Sequence, residues 1–315
     1  MQRNRYLIAT LVPYIWLAIF FLAPFLIVLK ISLSTVVMGQ PPYEPVFNSI
    51  AEIAAKIGEL SFSNYAYFAS YPLYWKAFLS SVWIAFVSTV IAFVIGYPMA
   101  YGMARARPSI RPILVMLVIL PFWTSFLIRV YAWIGILKPE GLLNQFLAWT
   151  GVFSPNSPIN WLLMLLGKDA PVELPLIITN TNWAVYIGIV YSYLPFMVLP
   201  LYASLEKLDH TLLEAASDLG SPPWKSFWQI TFPLSMPGVI AGSMLVFIPA
   251  MGEFVIPDLL GGSDTLMIGK TLWDEFFHNR DWPMASTVAI LLLIVLVVPI
   301  VFFQNAQARV RERDR

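Results

Sequence analysis

Six apolar runs, each near the length of a membrane-crossing helix, constrain this chain more than any motif in it. They extend over about Ile8–Leu29, Ala77–Ala104, Ile113–Leu137, Trp183–Leu205, Leu234–Met251 and Pro283–Phe303. A bilayer core takes roughly 20 predominantly apolar residues in helical form. Within it no water is present to bond a free N–H or C=O, so long runs of this kind predict helices. The third run carries Arg129 and is expected to be interrupted by it. Composition agrees: 59% of the 315 residues are apolar and 12% charged, against about 25% charged in soluble domains. A soluble core could not hide so much apolar surface.

The first run follows Arg3 and Arg5, as the apolar core of a secretory signal does. It is longer than the usual ~7–15 residues and no small-x-small site follows it, so it reads as an uncleaved span. Orientation follows from the basic residues in short flanks. Arg3 and Arg5, then Arg105, Arg107 and Arg111, then Lys207 and Lys225, then Arg309, Arg311, Arg313 and Arg315 all fall on one side of a six-span chain. That side is expected to be cytoplasmic, with both termini on it. Acids gather in the opposite loops, among them Glu44, Glu140, Asp258, Asp274, Glu275 and Asp281. Their field would favour cations there. Net charge is +1, which argues neither for nor against nucleic acid, and the absence of cysteine excludes disulfides and thiolate metal sites.

Residues 30–76 form a long outer loop in which Ile50, Ile53, Ala54, Ile57 and Leu60 recur at helical spacing, predicting a short amphipathic helix. Ser154–Pro175 forms a second outer excursion. Its apolar Trp161–Leu166 piece is too short to span and reads as interfacial or re-entrant. No internal repeat is evident, nor the inverted halves of many secondary carriers.

The loop at 206–233 carries the most specific signal. Asp209 is a fair N-cap for a helix over about Thr211–Leu219, and Gly220 fits the left-handed residue after it. Ser221 can cap a second helix with Pro222 or Pro223 in its first turn, ending near Phe232 and Pro233. Leu212, Leu213, Ala216, Leu219, Phe227 and Trp228 are available for packing. On physical grounds alone this helix–turn–helix is equally a docking element or a connector lying on the bilayer.

Glu214-Ala215-Ala216, then Gly220, then Ile230 and Pro233 stand at the spacing of the EAA motif of binding-protein-dependent ABC importer permeases, with Phe232 where the family has Leu. The chain resembles that family. The resemblance implies an all-α membrane protein with six transmembrane helices and the type I importer fold. It implies that Glu214, Ala215, Ala216, Gly220, Ile230 and Pro233 form the element that docks on a separate ATPase. It also implies a second homologous permease, an ABC ATPase dimer that binds ATP-Mg, and a periplasmic binding protein. The chain itself would need no cofactor, would perform no catalysis, and would lie in lipid of the bacterial inner membrane. Five stretches resemble the polyamine (putrescine/spermidine) branch: Pro13–Leu17, Leu120–Leu137, Ala184–Pro200, Gly242–Gly262 and Asn279–Ser286. The resemblance implies a periplasmic polyamine-binding protein as the donor.

Two ionisable residues within or beside the runs, Arg129 and Glu253, are functional candidates because intramembrane charge is costly. Glu253 and Asp258 could attract an ammonium group along a path, and the faces of Trp123, Tyr131, Trp133 and Tyr191 could add cation–π attraction. Arg129 and Glu253 could equally pair as a structural bridge, and the aromatics could be interfacial anchors.

Three other classes find little support. Gly269-Lys270-Thr271 resembles the end of a phosphate loop, but Asp264 stands where that loop needs glycine. His210 and His278 are the only histidines, and no nucleophile or metal motif surrounds either. A self-contained channel or secondary carrier would explain the spans and the charges but not the spacing in 206–233.

Overall fold

The computed structural model describes residues 11–154, 157–165, 174–209 and 211–313. Arg3, Arg5, His210, Leu166 and Arg315, with 155–156 and 166–173 of the second excursion, lie outside the described residues. Helices dominate, and the chain divides into two compact units. One is Leu79–Met267; the other joins the segment up to Phe78 with Ile268 onward.

Among the described residues, four helices are long and apolar enough to cross a membrane: α1 (Leu11–Ser32), α4 (Pro72–Arg105), α9 (Asn182–Glu206) and α11 (Pro223–Met251). Trp282–Val297 is a shorter apolar stretch at the start of α14 (Trp282–Arg313). The third run departs from expectation. It is two helices, α5 (Arg111–Trp123) and α6 (Phe126–Leu137), bent by 88°. The break lies at Thr124 and Ser125, not at Arg129. Its cause is local: Leu120–Trp123 tightens to a 3₁₀ turn around Pro121, and Thr124 then turns extended (ψ 151°). The Thr124 hydroxyl donates to the Pro121 carbonyl at 2.8 Å and secures the turn.

A second departure concerns α11. Its first turns were expected to end near Pro233, yet the helix runs on to Met251 through a π segment at Phe227–Thr231. The wider π turn lets Pro233, which has no N–H and crowds the carbonyl four residues back, continue the helix. The same device recurs at Ala18–Leu22, just before Pro24 in α1.

In the unit containing both ends of the described chain, α1 packs along α14. Carbonyls at the end of α1 take donors from elsewhere: Asn64 Nδ2 donates to Ser32 O at 2.9 Å and Ser34 O at 2.7 Å. Thr287 Oγ1 donates to Ser32 O at 3.2 Å. The 30–76 loop is more structured than expected. It holds a two-residue antiparallel pair, β1 (Thr35–Val36) with β2 (Tyr43–Glu44), then α2 (Ile50–Lys56) and α3 (Ser63–Ser70). The amphipathic helix is therefore present. Ser49 caps it by accepting the Glu52 N–H at 3.4 Å, and Glu52 accepts the Asn48 N–H at 3.2 Å. Helix α4 starts at Pro72, inside the loop as first bounded.

The other unit is organised around α9, whose Ile189, Met197, Val198 and Leu201 are fully buried. Helix α11 lies so close to it that a Cβ on Gly238 would stand 2.6 Å from Ser204 Cβ, and one on Gly242 2.9 Å from Met197 O. The Gly238-x-x-x-Gly242 spacing brings two backbones together in the manner of membrane helix pairs. Helix α7 (Leu142–Thr150) precedes the second excursion, and α8 (Pro158–Leu165) lies within it. The latter holds 161–165 of the apolar piece expected to be interfacial or re-entrant.

Candidate functional site

Helix α10 (Thr211–Asp218) and the start of α11 form the expected helix–turn–helix. Asp209 Oδ1 accepts the Thr211 N–H at 3.0 Å. Gly220 has φ +79°, a left-handed residue. The Ser221 N–H reaches Ala216 O at 2.9 Å and the Gly220 N–H reaches Ser217 O at 2.8 Å. These two bonds make a Schellman stop, which a residue at left-handed φ completes. Pro222, not Ser221, is the N-cap of the next helix; Ser221 Oγ instead accepts from Ser226 Oγ at 3.1 Å.

The packing differs from the expected set. Ala216 is buried and Leu213 and Phe227 half-buried, but Leu212, Leu219 and Trp228 are exposed, together with Trp224. Glu214, Ala215 and Gly220 also face outward, Ile230 is half-buried, and Pro233 is exposed. The loop thus presents exposed apolar side chains beside the Glu214 and Asp218 carboxylates. Its inner side is anchored on α4: the Phe227 ring meets Tyr97 and Tyr101 edge-on, each at 5.8 Å. Tyr97 Oη and Ser235 Oγ share a hydrogen bond of 2.9 Å.

Arg129 and Glu253 come together at a second place, a cavity of about 430 Å³ lined also by Phe122, Phe126, Tyr193 and Phe196. Both line it, and among the described residues no ion pair joins them. Each charge is engaged at a helix break instead. The Arg129 guanidinium donates to Pro121 O and, at 3.3 Å, to Thr124 O, carbonyls at the end of α5. It also lies over the Phe122 and Phe126 rings at 5.4 and 5.9 Å. Glu253 follows the end of α11 and is 7% exposed. Its Oε1 accepts the Val255 N–H at 3.0 Å and lies 3.4 Å from the Ile256 N. Those are the first amides of α12 (Val255–Leu260). Its Oε2 accepts the Tyr193 hydroxyl. A cation at a carbonyl end and an anion at an amide end both complement the helix dipole.

The other sequence candidates fall elsewhere. Trp123 and Tyr131 are exposed outside the cavity, Tyr191 packs edge-on against Trp133 at 5.3 Å, and Asp258 lies on the exposed side of α12. Phe122, Phe126, Tyr193 and Phe196 line the cavity without a sequence pattern that marks them. Gly269-Lys270-Thr271 lies in α13 (Ile268–Trp273) with Gly269 buried, not in a phosphate-cradling loop. His278 pairs with Asp274 at 2.9 Å.

Known proteins agree with this architecture. Residues 92–311 match the family described as binding-protein-dependent transport system inner membrane component. The spermidine/putrescine transport system permease protein PotB of Haemophilus influenzae is 41% identical over 235 residues, 75% of this chain and 76% of that protein. PotB of Escherichia coli K12 is 42% identical over the same length, 75% of this chain and 78% of its own. A chain of a bacterial ABC transporter that imports the acidic polysaccharide alginate shares the fold at TM-score 0.66 and 16% identity, covering 98% of this chain and 96% of that one. The EAA-spaced loop, the apolar helices and these matches lead to one conclusion: the chain belongs to the binding-protein-dependent permeases, the multi-pass inner-membrane subunits of ABC importers.

Proposed function

We propose that this permease imports polyamines, putrescine or spermidine, across the inner membrane by alternating access. The observation that carries the reading is the 41–42% identity to two PotB permeases over 235 residues. The cavity supports it chemically, because aromatic faces and helix-end carbonyls suit an ammonium group.

The chain crosses the membrane six times with both termini in the cytoplasm, and works beside a second homologous permease. An ABC ATPase dimer binds ATP-Mg and performs the hydrolysis, and a periplasmic polyamine-binding protein delivers the substrate to the outer loops. Glu214, Ala215 and Gly220 dock on the ATPase, the buried Ala216 packs beneath them, and Ile230 and Pro233 carry the docked turn onward along α11. The exposed Leu212, Leu219 and Trp224 are the apolar part of the same face. Closure of the ATPase dimer moves this loop, and the Phe227 contact with Tyr97 and Tyr101 passes the motion to α4. ATP drives the cycle only because it binds one conformation better than the other.

The test is uptake of labelled putrescine and spermidine by cells lacking polyamine importers. The cells express this chain with its ATPase, second permease and binding protein, alongside an ATPase-dead control. ATPase-dependent uptake is the expected result; an assembled complex that takes up neither polyamine overturns the reading.

A further inference from the structure

A guanidinium is an unexpected group to find in a cavity through which a cation would pass. Arg129 adds positive charge where an ammonium would have to enter, and Glu253 on the same cavity wall is already engaged by the Val255 N–H and the Tyr193 hydroxyl. Its surroundings, however, are those of a cation site. Two carbonyl oxygens, of Pro121 and Thr124, converge on the guanidinium, and the rings of Phe122 and Phe126 lie beneath it. Unwound backbone at the carbonyl end of a broken helix, backed by aromatic faces, binds cations in membrane proteins generally.

The guanidinium does not fully suit this cage, because its Nε is buried and has no hydrogen-bond partner. A planar fork needs in-plane acceptors for each N–H, whereas an ammonium is compact and carries three donors that can rotate toward carbonyls. A second positive charge beside Arg129 would be repulsive, so the carbonyls hold one cation at a time, and an ammonium can occupy them only where the guanidinium has swung away.

From this geometry we infer that the carbonyl-and-ring cage at Pro121–Phe126 is an ammonium-binding site, and that Arg129 is its tethered resident, displaced by the substrate's ammonium during passage. The inference rests on the polyamine reading for its natural ligand. The freed guanidinium has a destination within the same cavity, the Glu253 carboxylate, whose oxygens keep lone pairs beyond those taken by the Val255 N–H and the Tyr193 hydroxyl. Arg129 therefore keeps the site closed to water and small ions while no substrate is present, and returns to it after release.

The experiment uses the assembled permease–ATPase complex in lipid nanodiscs, without binding protein, as wild type and as Arg129→Ala. Putrescine and methylguanidinium are the probes, read by titration calorimetry and by melting temperature. Removal of the tethered competitor is expected to lower the half-saturating putrescine concentration by about fivefold or more. Methylguanidinium is expected to compete with putrescine in the variant. Equal putrescine binding by both proteins overturns the inference. So does a variant stabilised by methylguanidinium yet indifferent to putrescine, which makes Arg129 a structural cap alone. Should Arg129→Ala fail to assemble, Arg129→Gln keeps a donor for the carbonyls and is held to the same two outcomes. Uptake by the complete wild-type importer separates the two readings. Uptake without a binding difference removes the cage alone. Putrescine binding without uptake removes polyamine transport and leaves the cage.

Discussion

Tyr193 donates its hydroxyl to Glu253, and through that bond α9 holds the carboxylate that caps the first amide of α12. Glu253 is thus a joint between two elements before it is anything toward a substrate. Removing the Tyr193 hydroxyl leaves a buried carboxylate oxygen short of a donor, at a cost of about 1–3 kcal/mol. Tyr193→Phe is expected to lower the melting temperature of the purified complex. Glu253→Gln, whose amide oxygen can still accept the Val255 N–H, is expected to cost less stability than Glu253→Ala. An unchanged melting temperature in Tyr193→Phe would mean that the joint carries no load.

The turn of the 206–233 loop makes a cleaner prediction. Nothing lies within 4 Å of where a Cβ on Gly220 would stand, so a substitution there is opposed by backbone conformation alone. At φ +79° that cost is about 1–2 kcal/mol for alanine and less for asparagine. Transport should therefore fall in the order Gly220, Gly220→Asn, Gly220→Ala, while membrane insertion stays normal. Equal transport by all three would show that the Schellman stop is not needed in the assembled importer.

The close approach of α9 and α11 predicts the opposite pattern, a failure of assembly. A Cβ at 242 would stand 2.9 Å from both Met197 O and Met197 Sδ. The backbone oxygen cannot swing away as a side chain would. Gly242→Ala is expected to force the helices apart at a cost of about 1–3 kcal/mol, and Gly242→Leu to abolish recovery of the complex. Wild-type yield and melting temperature in Gly242→Leu would contradict the packing.

How much of this was readable beforehand depends on how local each cause is. The caps at Asp209 and Gly220 involve neighbours in sequence, and both stand where the spacing placed them. Gly238-x-x-x-Gly242 is equally local, a helix-pairing pattern legible in the sequence. Charge at Arg129 is the disruptive feature visible in the third run, whereas Pro121 makes the break at Thr124 and Arg129 serves the carbonyls it releases. Tyr193 carried no sequence signal at all. Its partner Glu253 is far along the chain, and only the packing of α9 beside the end of α11 joins them.

Asp281 offers a prediction in pH. It caps α14 by accepting the Met284 N–H at 2.8 Å. Burial, aided by the nearby Glu275 carboxylate, holds its own carboxyl above the usual Asp range. The folded protein then binds that proton more tightly than the unfolded chain does. Stability attributable to Asp281 falls as pH rises from the unfolded value through the folded one, and is flat above both. Asp281→Asn keeps an acceptor for the Met284 N–H and removes the charge. It is expected to raise the melting temperature at neutral pH and to match wild type in acid below both values. A variant less stable at neutral pH would mean that the charge itself supports the helix start.

The most direct test of the central claim is transport by purified components. Proteoliposomes would carry this chain with its second permease and ATPase, given loaded binding protein on the outer side and ATP on the ATPase side. The account predicts ATP-dependent accumulation of putrescine or spermidine that Glu214→Ala sharply reduces without loss of the assembled complex. Accumulation that proceeds without ATP, or that is unaffected by Glu214→Ala, would contradict it.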